Sequence, residues 1–415
     1  MNKKIAGLSI PLFFILPWLG FILSFFDFKS KRSAFIYVAF AVIFGYAISF
    51  SDSSADSYRY AKAFSRFNNT LDYNRILQLY RNGELRDLYQ LLLFYITSLF
   101  TDNPKVLFSF AGFVYGIFSY LNLRILLKEC GNIKNRYVFV LALVFFTYCS
   151  LSNINGFKFW TGAMILFYSC YNFIIQNKIR WVIGIIVTPF IHYGFMLIVP
   201  LLVLYRISQP LFRNKDKVKP YVLYAFIATF SLSWFITTNS INLGFLTNTG
   251  IISGAVGERI DYVNSSNVAA LVESRSDNSL FLSVQNYFNY GIKIYVFICV
   301  LYLYKLINKI KGEKTEYINI LSFVMFFYSF AFIAISFPSG SRFFDIAHLF
   351  LLVLLGKVYK IYRAKKMKNL ILWMLPVFSF NIAFVNFMLA FLILTPKFWY
   401  ANFFWIIIDG LNFYI

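Results

Sequence analysis

The sequence predicts an all-α, polytopic integral membrane protein with about ten to twelve transmembrane helices. Hydrophobic residues make up 60% of the 415 residues, and the mean hydropathy is +0.66. Charged residues make up only 13%, against about a quarter in soluble domains. Apolar runs near the length needed to cross a hydrocarbon core of about 30 Å recur from end to end. We therefore treat residues 1–415 as a single transmembrane domain.

The net charge of +22 is distributed as the positive-inside rule predicts, in short loops between apolar runs. Such loops are expected to lie in the cytoplasm against anionic membrane lipids. This distribution argues against nucleic acid as a partner. The main basic clusters are residues 128–136, 178–180, 213–219, 305–314 and 357–368.

The four cysteines share no CxxC spacing, and the chain has only two histidines. Three of the cysteines lie within apolar runs, so we expect buried thiols rather than disulfides or ligands. The sequence therefore predicts no metal site. No glycine-rich phosphate-binding motif is present either, and we expect no cofactor.

The first predicted spans are residues 5–26 and 34–50, with the basic residues 29–32 in the cytoplasm and the N-terminus outside. Residues 51–87 then form an external loop. Residues 88–100 are apolar but number only thirteen, which is short for a full span and favours a re-entrant or interfacial helix. A span over residues 106–127 then returns the chain to the cytoplasm.

The middle of the chain is predicted to cross outward over residues 137–151 and back over 157–175. Basic clusters flank both ends of residues 181–205, which favours two short helices that meet near His192 over one crossing. Pro189, Gly194 and Pro200 support such a break.

The last third is predicted to hold one large external loop, residues 237–284, after a span over 221–236. Residues 398–408 are predicted to form a short interfacial tail. The remaining predicted spans are residues 287–304, 317–337, 343–359 and 370–394.

A few charged or polar residues fall at the predicted outer ends of spans, where charge is expensive and often functional. Arg342 and Asp345 are helical neighbours, and the competing interpretation is a structural ion pair. Lys158 and Lys293 could instead reach the interface by snorkelling, and His192 could be a hydrogen-bonded core residue. In the first external loop, Asp56, Arg59 and Tyr60 share one helical face, which also fits a solvated amphipathic helix.

Cations and acid or base groups gathered on one side of a membrane suit a lipid that carries a pyrophosphate. Arginine and lysine can stabilise the charge that develops on departing pyrophosphate. A carboxylate or histidine can take the proton from an attacking sugar hydroxyl. A donor already attached to lipid would need no nucleotide-sugar site.

Four stretches together resemble the EpsG-type and Wzy-type bacterial polysaccharide (O-antigen) polymerases. These stretches are "ADSYRYAKAF", "NINGFKFWTGAMIL", "FIHYGFMLIVP" and "GSRFFDIAHLFLL". Asp56, Tyr60, His192 and Arg342 stand at family positions. The chain departs from the family pattern where Lys158 replaces arginine and Phe159 replaces glutamine. The tyrosine that usually follows the late arginine is missing, and Asp345 lies nearby.

The resemblance implies a fold similar to the membrane-embedded C superfamily of glycosyltransferases, in a bacterial cytoplasmic (inner) membrane. The implied reaction moves a growing glycan from undecaprenyl pyrophosphate onto an incoming lipid-linked repeat unit at the periplasmic or outer face. The implied partners are an undecaprenyl-pyrophosphate-linked oligosaccharide and a chain-length regulator, and the product could serve as O-antigen, lipopolysaccharide, capsule or exopolysaccharide.

The roles that follow from the resemblance divide the residues into three groups. Asp56 or His192 is the general base. The donor pyrophosphate is held by Arg342, Lys158 and Lys293, with Asp345 orienting Arg342. The glycan path is lined by Arg59, Arg259, Arg275, Tyr58 and Tyr60.

Three other functions compete with polymerisation. A flippase or transporter of the same lipid-linked glycan would usually show internal repeats, and none is evident. An O-antigen ligase differs only in its acceptor. A membrane acyltransferase would use catalytic histidines but gives the outer cations no role.

Overall fold

The computed structural model describes residues 7–51, 55–67, 72–81, 87–212, 217–235, 280–309, 314–336 and 340–411. Within these residues the chain is helical, apart from turns, short connecting segments and isolated bridge residues, which include the antiparallel pair Ile48 and Leu394. The predicted all-helical class is therefore confirmed, and the long apolar helices are those of a polytopic membrane protein.

Twenty α-helices are used below, numbered along the chain. They are α1 (Ser9–Ile15), α2 (Pro17–Ser24), α3 (Lys31–Tyr46), α4 (Asp56–Phe67), α5 (Tyr73–Arg81), α6 (Leu88–Ser98), α7 (Pro104–Cys130), α8 (Arg136–Tyr148), α9 (Phe157–Cys170), α10 (Val182–Ile191), α11 (Ile198–Phe212), α12 (Pro220–Leu232), α13 (Leu280–Lys309), α14 (Thr315–Ala334), α15 (Arg342–Ile361), α16 (Lys365–Leu372), α17 (Met374–Val377), α18 (Ser379–Asn381), α19 (Leu389–Ile393) and α20 (Phe403–Leu411). Shorter 3₁₀ turns and two π-helical segments (Tyr171–Ile175 and Ile382–Met388) connect some of them.

The chain packs as two compact units. Unit 1 comprises residues 1–128, 149–203 and 381–415, and unit 2 comprises residues 129–148 and 204–380. Each unit is described separately.

Five helical stretches of the described residues are long and apolar enough to cross a membrane, or six if the segments on either side of Phe378 form one span. This total is lower than the predicted ten to twelve. One reason is that Arg136–Ile175 counts once, although it contains two predicted spans, α8 and α9, joined by 3₁₀ turns at Leu151–Gly156. Another is that some predicted spans form helices that are short for a crossing, including Lys31–Tyr46 and Pro220–Leu232.

The prediction of one continuous span over residues 5–26 is wrong. Leu16, before Pro17, is extended (φ −142°, ψ 99°), because proline disfavours the helical conformation of the residue before it. In a continuous helix Phe13 and Gly20 would lie about 10 Å apart along the axis. A Cβ on Gly20 would instead lie 2.5 Å from the Phe13 Cα, so α1 and α2 fold back on each other.

Helices α3 and α7 form a closely packed antiparallel pair in unit 1. A Cβ on Gly45 would lie 2.1 Å from the Phe108 carbonyl oxygen, so only glycine permits this approach. Toward the other end of the pair, the Tyr37 and Ser119 hydroxyls are 2.7 Å apart, and the Tyr120 hydroxyl donates to the Phe28 carbonyl at 2.7 Å. One end of the pair is therefore marked by Gly45 and Phe108, and the opposite end by Phe28 and Tyr120.

The predicted break near His192 is present. Helix α10 ends at Ile191, and His192 has extended backbone (φ −147°, ψ 123°) before a 3₁₀ turn over Tyr193–Met196. The predicted reason is only partly right, since α10 continues past Pro189 and Pro200 lies inside α11. The break itself falls at His192–Gly194, and it places the His192 side chain at a helix end.

Unit 2 contains a buried ionic group and a buried histidine. Lys357 on α15 donates to Glu129 at 2.8 Å and also pairs with Glu316 at the start of α14. About two and a half turns of α15 closer to its start, His348 Nδ1 lies 2.6 Å from the Tyr328 hydroxyl. His348 is thus a hydrogen-bonded core residue.

The loop predicted over residues 237–284 is shorter at its C-terminal end than predicted. Helix α13 begins at Leu280, inside the predicted loop 237–284. Residues 236–279 lie outside the described part of the chain. The four cysteines are buried free thiols, as predicted.

Candidate functional site in unit 1

The start of α4 docks on the 3₁₀ turn that precedes α9. The backbone N–H of Ser57 donates to Asn155 Oδ1 at 3.0 Å. A Cβ on Gly156 would lie 3.3 Å from Asp56 Oδ2, so the absent side chain at Gly156 leaves room for the carboxylate. The segment predicted to form the first external loop therefore brings Asp56 directly to the segment that carries Lys158.

Asp56 forms an ion pair with Arg59 one turn along α4. The Asp56 side chain is 25% exposed and the Arg59 side chain is 58% exposed. Both charged groups can therefore be reached by a ligand. Of the neighbouring tyrosines, Tyr60 packs its ring 4.8 Å from that of Phe157, whereas Tyr58 lies beneath the Lys62 ammonium at 5.9 Å.

Lys158, in the first turn of α9, is held by three groups. Its Nζ lies 2.8 Å from Asp87 Oδ2 and donates to Gln90 Oε1 at 2.8 Å. The same ammonium lies 4.9 Å from the centre of the Tyr60 ring. Lys158 and Asp87 are 17% and 12% exposed, so this is a largely desolvated ion pair rather than a cation reaching the interface.

Asp87 joins this pair to the segment that carries His192. Its Oδ1 accepts the backbone N–H of Tyr193 at 2.9 Å. Burial alone would raise the pKa of Asp87, but the Lys158 ammonium, the nearby His192 and the hydrogen bonds from Lys158 and from the Tyr193 N–H together lower it below its usual value. Asp87 is therefore a carboxylate throughout the neutral range.

His192 faces the aromatic side of the group. Its Nδ1 accepts the N–H of Gly194 at 3.0 Å, which places the proton of the neutral ring on Nε2. The Phe159 ring lies 5.4 Å from the imidazole and stacks on Phe195 at 5.1 Å. Phe159 thus holds the imidazole of His192 in place by packing. The glutamine expected at position 159 from the family pattern would instead have offered hydrogen bonds.

We call these residues the Asp56 cluster: Asp56, Arg59, Tyr60, Asp87, Lys158 and His192. They come from four separate segments of the chain. Two carboxylates balance the two permanent cations, so the cluster has no large net charge. It combines a reachable carboxylate, a reachable guanidinium and a histidine within one compact unit.

Asp87 and Gln90 were not among the sequence-based candidates. A signal was available, because Asp87 is the last polar residue before the apolar segment 88–100 and Gln90 lies one turn later on the same helical face. Polar side chains in the first turn of a short apolar helix need a hydrogen-bond or ionic partner when they are buried. Lys158 is that partner for both Asp87 and Gln90.

The remaining candidates lie in unit 2 or outside the described residues. Arg342 is the first residue of α15, close enough to Asp345 for electrostatic attraction. Lys293 Nζ donates to the Ser233 carbonyl at 2.9 Å and lies 4.7 Å from the Trp234 ring centre, which matches neither simple snorkelling nor a free cation. Arg259 and Arg275 fall outside the described residues.

Within the described residues, no three His, Cys, Asp or Glu side chains come together as metal ligands. No family model, no curated protein and no solved structure matches this chain.

Proposed function

We propose that this protein is a lipid-pyrophosphate-dependent glycosyltransferase that polymerises polysaccharide repeat units at the outer face of a bacterial cytoplasmic membrane. The observation that carries the proposal is the Asp56 cluster. Separate segments that the sequence singled out for acid–base and cationic residues meet there. A general base and a cation within reach of one ligand are what glycosyl transfer from a lipid pyrophosphate needs.

The position of the cluster supports an outer-face site. Phe108 lies 5.6 Å from Phe157, which packs on Tyr60, so the cluster adjoins the start of α7. Near the other end of α7, Arg124 lies in the last predicted turn of the span over residues 106–127, and Lys128 begins the predicted cytoplasmic loop. The sixteen residues from Phe108 to Arg124 span about 24 Å of helix, which is close to the thickness of a hydrocarbon core.

In the proposed reaction, Asp56 accepts the proton of the acceptor sugar hydroxyl. The hydroxyl oxygen forms a bond to the anomeric carbon of the donor glycan, while the bond from that carbon to the pyrophosphate oxygen breaks. The electron pair of that bond leaves with undecaprenyl pyrophosphate. Arg59, whose guanidinium is mostly exposed, is suited to meet this growing negative charge.

Lys158 receives a different role from the one predicted. Because its ammonium is already shared by Asp87 and Gln90, we assign it to positioning: it holds α6, α9 and the Tyr60 ring together. His192 similarly supports the cluster through Asp87 and Phe159. Arg342, with Asp345, and Lys293 stay candidates for holding pyrophosphate, to be tested by their own variants.

The test is polymerisation by purified protein in lipid nanodiscs, supplied with lipid-linked repeat units and followed as a ladder of glycan lengths. We expect Asp56→Asn to lower the rate by about 100-fold or more, since it removes a general base. Asp409→Asn is the matched control, because Asp409 is also a partly exposed, ion-paired aspartate of unit 1. Arg59→Ala is compared with Arg75→Ala, an arginine of the neighbouring amphipathic helix α5.

Complementation separates the proposal from its competitors. A strain without the gene should carry single repeat units on its surface, and Asp56→Asn should fail to restore long chains although it reaches the membrane. Full-length glycan left unattached in that strain would instead indicate a ligase. Glycan trapped on the cytoplasmic side would indicate a transporter. Either of these results would overturn the proposed polymerase activity.

A further inference from the structure

A small cavity lies near the other end of the α3–α7 pair, away from the Asp56 cluster. It has a volume of about 220 Å³ and is lined by Phe28, Lys29, Arg124, Leu127 and Lys128. Lys29 lies just before α3, and the other two cations lie one turn apart near the end of α7. We call this the Lys29 pocket.

The apolar part of the pocket is rigid. The Phe28 carbonyl accepts the Tyr120 hydroxyl at 2.7 Å, and the two rings lie 4.7 Å apart. Phe28 and Leu127 are both 5% exposed. Ser30 caps α3 by accepting the Ser33 N–H at 3.1 Å, which fixes the backbone next to Lys29. The pocket is therefore built into the fold rather than formed by loose side chains.

The rim of the pocket is positively charged. Lys29, Arg124 and Lys128 are exposed, and none forms an ion pair with a carboxylate among the described residues. Asp27 is the nearby acid, since it and Arg124 act electrostatically on the same Tyr120 hydroxyl. Three cations against one carboxylate leave an excess of two positive charges around a small volume, which favours an anionic ligand.

The volume narrows the choice of anion. Small-molecule sites usually measure about 300–1,000 Å³, so a cavity of about 220 Å³ favours a small anionic group such as a phosphodiester over a nucleotide. An apolar wall beside the cations also matches a molecule with an acyl chain and not a free inorganic ion.

We propose that the Lys29 pocket binds the phosphate group of an anionic phospholipid from the leaflet next to the basic loops. Arg124 offers a planar pair of donors to the phosphate oxygens, and Lys29 and Lys128 neutralise its charge from either side. Phe28 and Leu127 contact the glycerol and the first methylenes of the acyl chain. The site does not depend on the proposed glycosyl transfer.

The experiment measures lipid retention by native mass spectrometry. Full-length protein is purified from nanodiscs of phosphatidylcholine alone, or of phosphatidylcholine with phosphatidylglycerol. The pocket variant is Lys29→Gln/Arg124→Gln/Lys128→Gln. The matched control is Lys31→Gln/Arg32→Gln/Lys134→Gln, which also removes two exposed lysines and one exposed arginine but none that lines the pocket. Each single pocket substitution is also made, in case the triple variant does not fold.

We expect phosphatidylglycerol retention to fall by about fivefold for each pocket charge removed, and to stay near wild type in the control. Equal losses in both variants would overturn the proposal, because retention would then depend on overall charge. A third arm titrates inorganic phosphate into the lipid-bound protein. If inorganic phosphate displaces phosphatidylglycerol as readily as added phosphatidylglycerol does, the pocket is a site for a soluble anion and the proposal is wrong.

Discussion

Replacing Asp87 by asparagine should destabilise the protein more than any exposed charge substitution. The change keeps the shape of the side chain and its acceptor for the Tyr193 N–H, but removes the charge that lies 2.8 Å from Lys158 Nζ. The Lys158 ammonium then stays in a largely desolvated position without a carboxylate. Burial without an opposite charge is what makes a broken internal ion pair costly.

The magnitude follows from the geometry. At 2.8 Å and an effective dielectric constant of about 20, the attraction is about 6 kcal/mol. Desolvation of the two groups offsets most of it, but breaking one partner of a buried pair costs about 3–5 kcal/mol. Gln90 still accepts from Lys158 in the variant, so we expect the lower end, about 3 kcal/mol.

The assay is equilibrium unfolding in mixed micelles with increasing dodecyl sulfate, followed by tryptophan fluorescence. Asp87→Asn, Lys158→Gln and the double variant complete a mutant cycle. We expect the double variant to be more stable than Asp87→Asn alone, with a coupling energy of about 2 kcal/mol. A loss below about 1 kcal/mol for Asp87→Asn, the range of exposed pairs, would refute the assignment of a desolvated pair. So would strict additivity of the two single changes.

Three further predictions concern stability. The pKa of Asp87 is lowered from its usual 3.8. The charged carboxylate therefore stabilises the fold fully above pH 3.8, and this stabilisation is lost as the pH falls through the lowered pKa. The acid unfolding curves of wild type and Asp87→Asn should converge only below about pH 3.8. Lys357→Met should lower the free energy of unfolding by about 3 kcal/mol, because it leaves the Glu129 carboxylate buried without its cation. Lys360→Met, at an exposed position of the same helix, should change that free energy little. Equal effects of the two variants would contradict the buried ionic group. Gly45→Ala should destabilise the protein by about 1–3 kcal/mol through overpacking. Gly291→Ala, with nothing near its Cβ position, should stabilise it by about 0.5–1 kcal/mol. Unfolding midpoints that shift in the same direction for the two variants would contradict this prediction.

The sequence predicted those features that depend on composition and local pattern. Hydrophobic runs identified the helices because burial in an apolar medium requires them. The break near His192 was predictable from the glycine and the basic flanks. Four residues grouped from the motifs, Asp56, Tyr60, Lys158 and His192, lie together in unit 1, whereas Arg342, from the same motif grouping, lies in unit 2.

Tertiary partners were not predictable in the same way. The Lys158 ammonium looked available for a phosphate because a one-dimensional pattern does not show which carboxylate lies across from it. Asp87 is separated from Lys158 by seventy-one residues of sequence, yet it decides the electrostatic state of that lysine. Similarly, the apolar content of residues 5–26 predicted one continuous span. Pro17 instead ends the first helix, and the chain reverses direction there.

The reversal at Pro17 has a consequence for sidedness. Helices α1 and α2 have seven and eight residues, or about 10–12 Å each, so neither can cross a bilayer and the pair adds an even number of crossings. The chain should then enter and leave this hairpin in the same compartment, with Gly7 and Lys29 on one face. Gly7 would then share a compartment with the basic residues 29–32, whereas the predicted topology placed the N-terminus outside and these residues in the cytoplasm. Reporters of compartment placed at Gly7 and Lys29 should give the same reading.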